Sequence, residues 1–119
     1  MADAGTRSGG CHCGRVSYEV TTDLAQVVAC NCSICTKRGF LWTFVPPPRF
    51  ALRTGEDALA EYQFGRKAIR HLFCTNCGVE SFARGTLPDG TEAVAINVRC
   101  LDGVDPNAIS TVPFNGRDL

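Results

Sequence analysis

No apolar run in this chain of 119 residues is long enough to cross a bilayer, which removes a helical membrane anchor from consideration. Nor is there an excess of one charge. The 12 Lys and Arg residues stand against 12 Asp and Glu, so the basic footprint expected of a nucleic-acid binder is missing. Residues 1–10 lack the apolar stretch of a secretory signal, and a cytoplasmic protein is expected. They are rich in Gly, Ala and Ser, and residues 1–8 read as a disordered lead-in to a single domain over 9–119. Sustained helical periodicity is also lacking, with one-turn helices expected only at 33–38 and 57–61.

Cysteine, by contrast, is plentiful: eight residues, bunched as Cys11-His12-Cys13-Gly14, Cys30-Asn31-Cys32-Ser33-Ile34-Cys35 and Cys74-Thr75-Asn76-Cys77-Gly78, with Cys100 apart. Cysteines one residue apart pair badly as disulfides, because the bridge demands a specific backbone separation and torsion. They share a metal readily. Cys74-x-x-Cys77-Gly78 has the shape of a zinc knuckle, in which a tight turn aims two sulfurs at one tetrahedral centre and the glycine permits positive φ. Cys11-x-Cys13-Gly14 reads as a second half-site, and the four thiolates together suffice for a closed, structural zinc. Cys30, Cys32 and Cys35 supply three ligands, the count that leaves a catalytic zinc an open position for water or substrate.

The competing assignment makes Cys100 the fourth ligand of the central set and closes both sites. Against it, Val94, Ile96, Val98 and Cys100 fall on one face of an expected strand, which favours a buried core cysteine. His12, between two ligands, reads as a surface residue or a neighbour of the zinc site rather than a ligand, and His71 as a half-buried or hydrogen-bonded neighbour of the site rather than a general base. Lys37 and Arg38 follow Cys35 closely and are either a solvated turn or contacts for an anionic ligand. Asn31 and Ser33 shape the cysteine turn or donate hydrogen bonds to its sulfurs. Trp42 packs in the core or lines a pocket, and Arg84 reads as a surface charge.

The rest of the pattern is strand. Val16, Tyr18 and Val20 alternate with Arg15, Ser17 and Glu19, the period of a half-buried strand. An apolar run at 40–45 is stopped by Pro46, Pro47 and Pro48, which cannot sit in a paired central strand. Further strands are expected at 50–53, at 61–64 and 67–73 about a turn on Gly65 and Arg66, and at 81–84 and 92–99 about a turn on Pro88, Asp89 and Gly90. Arg99 falls on the polar face of the last strand, and Val112 and Phe114 are candidate anchors for the tail. The expected fold is all-β: several short, coiled antiparallel sheets organised around zinc sites, with little helix.

Taken together, Gly10-Cys11-His12-Cys13-Gly14, the Cys30 to Cys35 run, Phe73-Cys74-x-x-Cys77-Gly78 and the closing Asn97-Val98-Arg99-Cys100-Leu101-Asp102 resemble the glutathione-dependent formaldehyde-activating enzyme family, which includes relatives of centromere protein V. The likeness spans residues 9–102. It implies an all-β fold with two zinc ions per chain, a structural one on Cys11, Cys13, Cys74 and Cys77 and a catalytic one on Cys30, Cys32 and Cys35. It further implies glutathione or a glutathione adduct as partner, with Lys37 and Arg38 placed to meet its carboxylates, and a carbon–sulfur lyase activity that, in reverse, condenses glutathione with formaldehyde to S-hydroxymethylglutathione. The alternative is a non-catalytic zinc module that binds a protein. The oligomeric state is not legible in the sequence.

Overall fold

A computed structural model of the chain describes residues 5–63, 69–87 and 89–115. The expected turn on Gly65 and Arg66, and Pro88 of the next turn, lie outside the described residues.

The alternation at Val16, Tyr18 and Val20 builds β2 (Ser17–Thr22), in which Tyr18, Val20 and Thr22 are buried. It pairs antiparallel with β1 (Gly5–Gly10) and β5 (Phe50–Thr54) to form a three-stranded sheet. β1 corrects the sequence reading, since residues 5–8 were expected to be disordered. Six residue pairs tie it to β2, and the Asp102 N–H donates to the Ser8 carbonyl at 2.9 Å. Small residues are compatible with backbone pairing, and here one is required: a Cβ at Gly9 would stand 2.8 Å from the Cys100 carbonyl oxygen.

The second sheet has seven strands: β3 (Val28–Cys30), β4 (Trp42–Val45), β6 (Leu59–Tyr62), β7 (Ile69–Cys74), β8 (Phe82–Thr86), β9 (Glu92–Asn97) and β10 (Val112–Phe114). Their order is β10-β3-β4-β9-β8-β7-β6. One face of this sheet meets the smaller sheet through Leu72, Cys74, Phe82, Val94 and Ile96, packed with Tyr18, Val20 and Phe50. The other face carries a second cluster of Phe40, Trp42, Ala83 and Ala95, covered by Ile34 and Cys35 of the short helix α1 (Ser33–Arg38). With both faces covered, β9 is buried continuously from Ala93 to Asn97 instead of alternating.

Four expectations change in detail. The turn of helix at 57–61 is a 3-10 turn at Glu56–Ala58 followed by β6, because Leu59 to Tyr62 find ladder partners from Cys74 to His71. The strand expected at 92–99 ends at Asn97, whose side chain accepts from the Arg99 N–H and caps a 3-10 turn, Val98–Cys100. That turn takes Cys100 out of the face shared by Val94 and Ile96. Arg84 is half-buried, with its guanidinium 5.2 Å from the Phe50 ring centre and 5.6 Å from that of Phe82, so its charge rests on aromatic faces. Finally, β10 pairs parallel with β3, and Val112 and Phe114 remain about half exposed. At β10 the chain is held by its backbone pairing, while Ile109, before it, packs against the main core.

Candidate metal centres

Two sheets and one helix deliver seven of the eight cysteines to two points. Cys11, Cys13, Cys74 and Cys77 bring their sulfurs within 4.8 Å of one another, and so do Cys30, Cys32 and Cys35. Cys100 belongs to neither set. The first set joins the loop after β1 to the end of β7, and both turns close on a glycine in the left-handed region, Gly14 at φ 85° and Gly78 at φ 80°. A side chain with a Cβ adopts that conformation only at a cost.

The geometry of the first set fits a tetrahedral ion. With zinc–sulfur bonds of about 2.3 Å, sulfurs around one zinc stand about 3.8 Å apart. Cys11 Sγ to Cys13 Sγ and Cys13 Sγ to Cys74 Sγ are each 3.6 Å. Main-chain donors support the sulfurs, with the Val16 N–H 3.3 Å from Cys11 Sγ and the Asn76 N–H 3.4 Å from Cys74 Sγ. A hydrogen bond from the Asn76 side chain, joined by one from the Arg15 main chain, lowers the Cys13 thiol to about 6. Burial raises Cys11. A thiol that ionises easily within a group of four suits a site whose ligands must shed protons when metal binds. Cys74 is fully buried in the main core, so this centre is part of the fold's packing.

The central set is assembled locally. β3 ends at Cys30, the chain turns, and Cys32 occupies the N-cap position of α1. Cys35 lies in the helix, packed beneath Phe40 and Trp42. The Cys32 N–H donates to Cys30 Sγ at 3.4 Å, and the Trp42 indole Nε1–H donates to Cys35 Sγ at 3.3 Å. Burial raises the Cys35 thiol. Burial also opposes ionisation of Cys32, but hydrogen bonds from Cys35 and Cys30 outweigh it and lower the Cys32 thiol. The turn is braced by the tail: the Asn31 N–H donates to the Phe114 carbonyl at 3.1 Å, and the Asn31 side chain to Asn115 Oδ1 at 2.9 Å. Among the described residues no fourth ligand side chain joins the three sulfurs. The half-buried Cys100 thiol instead lies 4.0 Å from the Glu80 carbonyl. Burial, followed by the nearby Cys11 and Cys77 sulfurs, pushes it up to about 11.

A model of the glutathione-dependent formaldehyde-activating enzyme family matches residues 6–112. The chain belongs to that family. A solved Rhodobacter sphaeroides protein has the same fold, with a TM-score of 0.79 and 32% identity over 89% of this chain and 97% of that one. Both cysteine sets fall inside the family match, and their chemistry suits metal ions.

Other residues singled out from the sequence have separate fates. His12 is exposed and stands outside both sulfur groups. Lys37 and Arg38 are both exposed. The Arg99 Nε–H donates to the Gly39 carbonyl at 2.8 Å, closing the end of α1. His71 is buried, more deeply than expected, with its ring stacked on Phe40 at 6.2 Å and 5°. Its Nδ1 lies 2.7 Å from Oε2 of Glu80. Glu80 was not foreseen as part of the site. Its only sequence signal is an acid set between Val79 and the run Ser81-Phe82-Ala83, where a charge must find a partner. Two surface clefts of about 230 and 190 Å³, one beside Arg15 and Asp57 and one beside Thr21 and Phe44, have no cysteine in their walls.

Proposed function

We propose that the chain is a zinc-dependent enzyme of the carbon–sulfur lyase type. In this reading Cys11, Cys13, Cys74 and Cys77 would hold a structural zinc, and Cys30, Cys32 and Cys35 would hold a catalytic one at the place where the thiol of glutathione binds. The observation that carries the proposal is the count at the central set: three converging sulfurs with no fourth ligand among the described residues, the pattern of a site that keeps a position for substrate. Bound there, zinc would supply a thiol's sulfur with a partner that favours the thiolate form at neutral pH. A non-catalytic module closed by Cys100 is disfavoured by the place of that thiol near Cys11, Cys77 and Glu80.

The chain's own groups have definite tasks in such a reaction. The N–H of Cys32 and the indole of Trp42 draw charge from the Cys30 and Cys35 sulfurs, which moderates the negative charge of a three-thiolate site. Lys37 and Arg38 follow on the helix that carries Cys35 and offer cations to the carboxylates of glutathione. Condensation joins the thiol sulfur to the aldehyde carbon, and the thiol proton finishes on the aldehyde oxygen. No atom is lost, and the reverse reaction is the lyase direction.

The test is a titration of cobalt-substituted protein with glutathione, followed by formaldehyde turnover on the zinc form. Glutathione is expected to change the sulfur-to-metal charge-transfer bands, and S-methylglutathione, which has no thiol to present, to change them less. Absence of any spectral or calorimetric response at millimolar glutathione would refute the reading. Binding without turnover would keep the thiol site and reject formaldehyde as the aldehyde.

A further inference from the structure

The Glu80 side chain is only 1% exposed, yet it is a carboxylate. Oε1 accepts from Arg38 Nη1 at 2.5 Å, Oε2 faces His71 Nδ1 at 2.7 Å, and the Glu80 carbonyl accepts from the Asn97 side chain at 3.0 Å. Each oxygen of the residue has a partner, so the group cannot turn. An ion pair in such a place seldom adds stability over apolar packing, and one well-attested use of a fixed charge is to orient another group. The group so oriented here is Arg38.

Arg38 ends α1, three residues beyond Cys35, and residues three apart share a helix face. Its side chain is 36% exposed, and its guanidinium lies 5.8 Å from the Phe73 ring centre. One nitrogen is committed to Glu80. The remaining N–H groups of the fork have no partner among the described residues, and a guanidinium edge of this kind takes a carboxylate through two parallel hydrogen bonds. Lys37, one position earlier, is exposed and has no comparable anchor among the described residues.

We infer that Glu80 is a positioning residue that holds Arg38 ready for a carboxylate on the thiol substrate, so that the central site selects anionic thiols over neutral ones. The inference rests on the reading of the central set as a thiol site, but not on glutathione being the thiol. It also predicts a sign. If net positive charge alone drew the substrate in, removing Glu80 would unmask Arg38 and tighten binding. If Glu80 positions Arg38, removing it weakens binding.

The experiment is calorimetric titration of zinc-loaded protein with 3-mercaptopropionate and with 2-mercaptoethanol, thiols of similar size with and without a carboxylate. Wild type is expected to prefer the charged thiol. Glu80→Ala should weaken mercaptopropionate about tenfold, the scale of losing a charge-assisted hydrogen bond, and leave mercaptoethanol unchanged. Glu80→Gln, which keeps an acceptor for Arg38, should largely restore the preference. Arg38→Ala should abolish it, and Glu80→Ala combined with Arg38→Ala should lose no more than Arg38→Ala alone. Arg38→Lys, which keeps the charge without the fork, should lose most of the preference and decides the matter if Glu80→Ala does not fold. Equal binding of the two thiols by wild type, no binding of either, tighter binding by Glu80→Ala, or full retention in Arg38→Lys would each overturn the inference. If glutathione fails to bind wild type while mercaptopropionate shows these dependences, the glutathione reading falls and this inference stands.

Discussion

Replacing Cys13 by serine should destabilise the fold substantially more than replacing Cys32 by serine, although the change is the same sulfur-to-oxygen exchange. Neither side chain is fully buried, so the comparison is largely free of the cavity that a change at the fully buried Cys74 would open. The difference lies in what each metal would tie together. Cys13 and Cys74 are 61 positions apart in sequence, whereas Cys30 and Cys35 are five apart within one turn of chain. A chain-entropy treatment of a cross-link gives about 4 kcal/mol for the long loop and about 2 kcal/mol for the short one. The long-range link is therefore comparable with the total stability of an ordinary domain, about 5–15 kcal/mol. The assay is urea unfolding of zinc-loaded proteins, read by far-UV circular dichroism and by the fluorescence of Trp42, the only tryptophan, with metal content measured in parallel. Wild type should carry two zinc ions and each variant about one. Cys13→Ser should lose about 2 kcal/mol more than Cys32→Ser. Equal losses, or a larger loss at Cys32, would refute the division into a structural and a central site.

Two further outcomes follow from single contacts. Trp42→Phe removes the N–H donor 3.3 Å from Cys35 Sγ and should weaken central-site zinc by about tenfold in chelator competition while leaving the first site unchanged; equal weakening at both sites would disprove a local role. Burial pushes the Cys100 thiol up to about 11 from an ordinary 9.0, so the folded state holds its proton longer than the unfolded state does. Stability should thus be indifferent to this group below about pH 9 and fall as pH rises from 9 to 11, by about 2 kcal/mol. Cys100→Ala should flatten that part of the profile in urea midpoints measured from pH 8 to 10.5, and an unchanged slope would show that the thiol ionises freely in the fold.

The parts of the molecule that were legible in sequence are those whose causes are local. Cys30, Cys32 and Cys35 meet within one turn because β3, the N-cap and the helix follow one another directly. The half-sites ending at Gly14 and Gly78 announce their turns through the glycines themselves. The alternation of Val16, Tyr18 and Val20 survives because β2 has one covered face. What was misread depends on partners far along the chain. β1 looks disordered by composition, yet its order comes from pairing with β2 and from Asp102. The single-face reading of 94–100 failed where the Asn97 cap turns the chain. Glu80 belongs to no motif, and its partners stand 9 and 42 positions away; a lone acid in an apolar segment signals only that a partner exists, not which one.

Those distant partners connect the two cysteine sets. His71 precedes Cys74 by three residues and Glu80 follows Cys77 by three, so the His71–Glu80 contact closes the segment that carries two ligands of the first set. Glu80 then reaches across to Arg38 at the end of α1, and α1 carries Cys35. Phe40 completes the circuit by stacking on His71 and packing with Trp42, whose indole donates to Cys35. Two chains of contact thus run from His71 and Glu80 to the helix that carries Cys35, one ionic through Arg38 and one aromatic through Phe40 and Trp42.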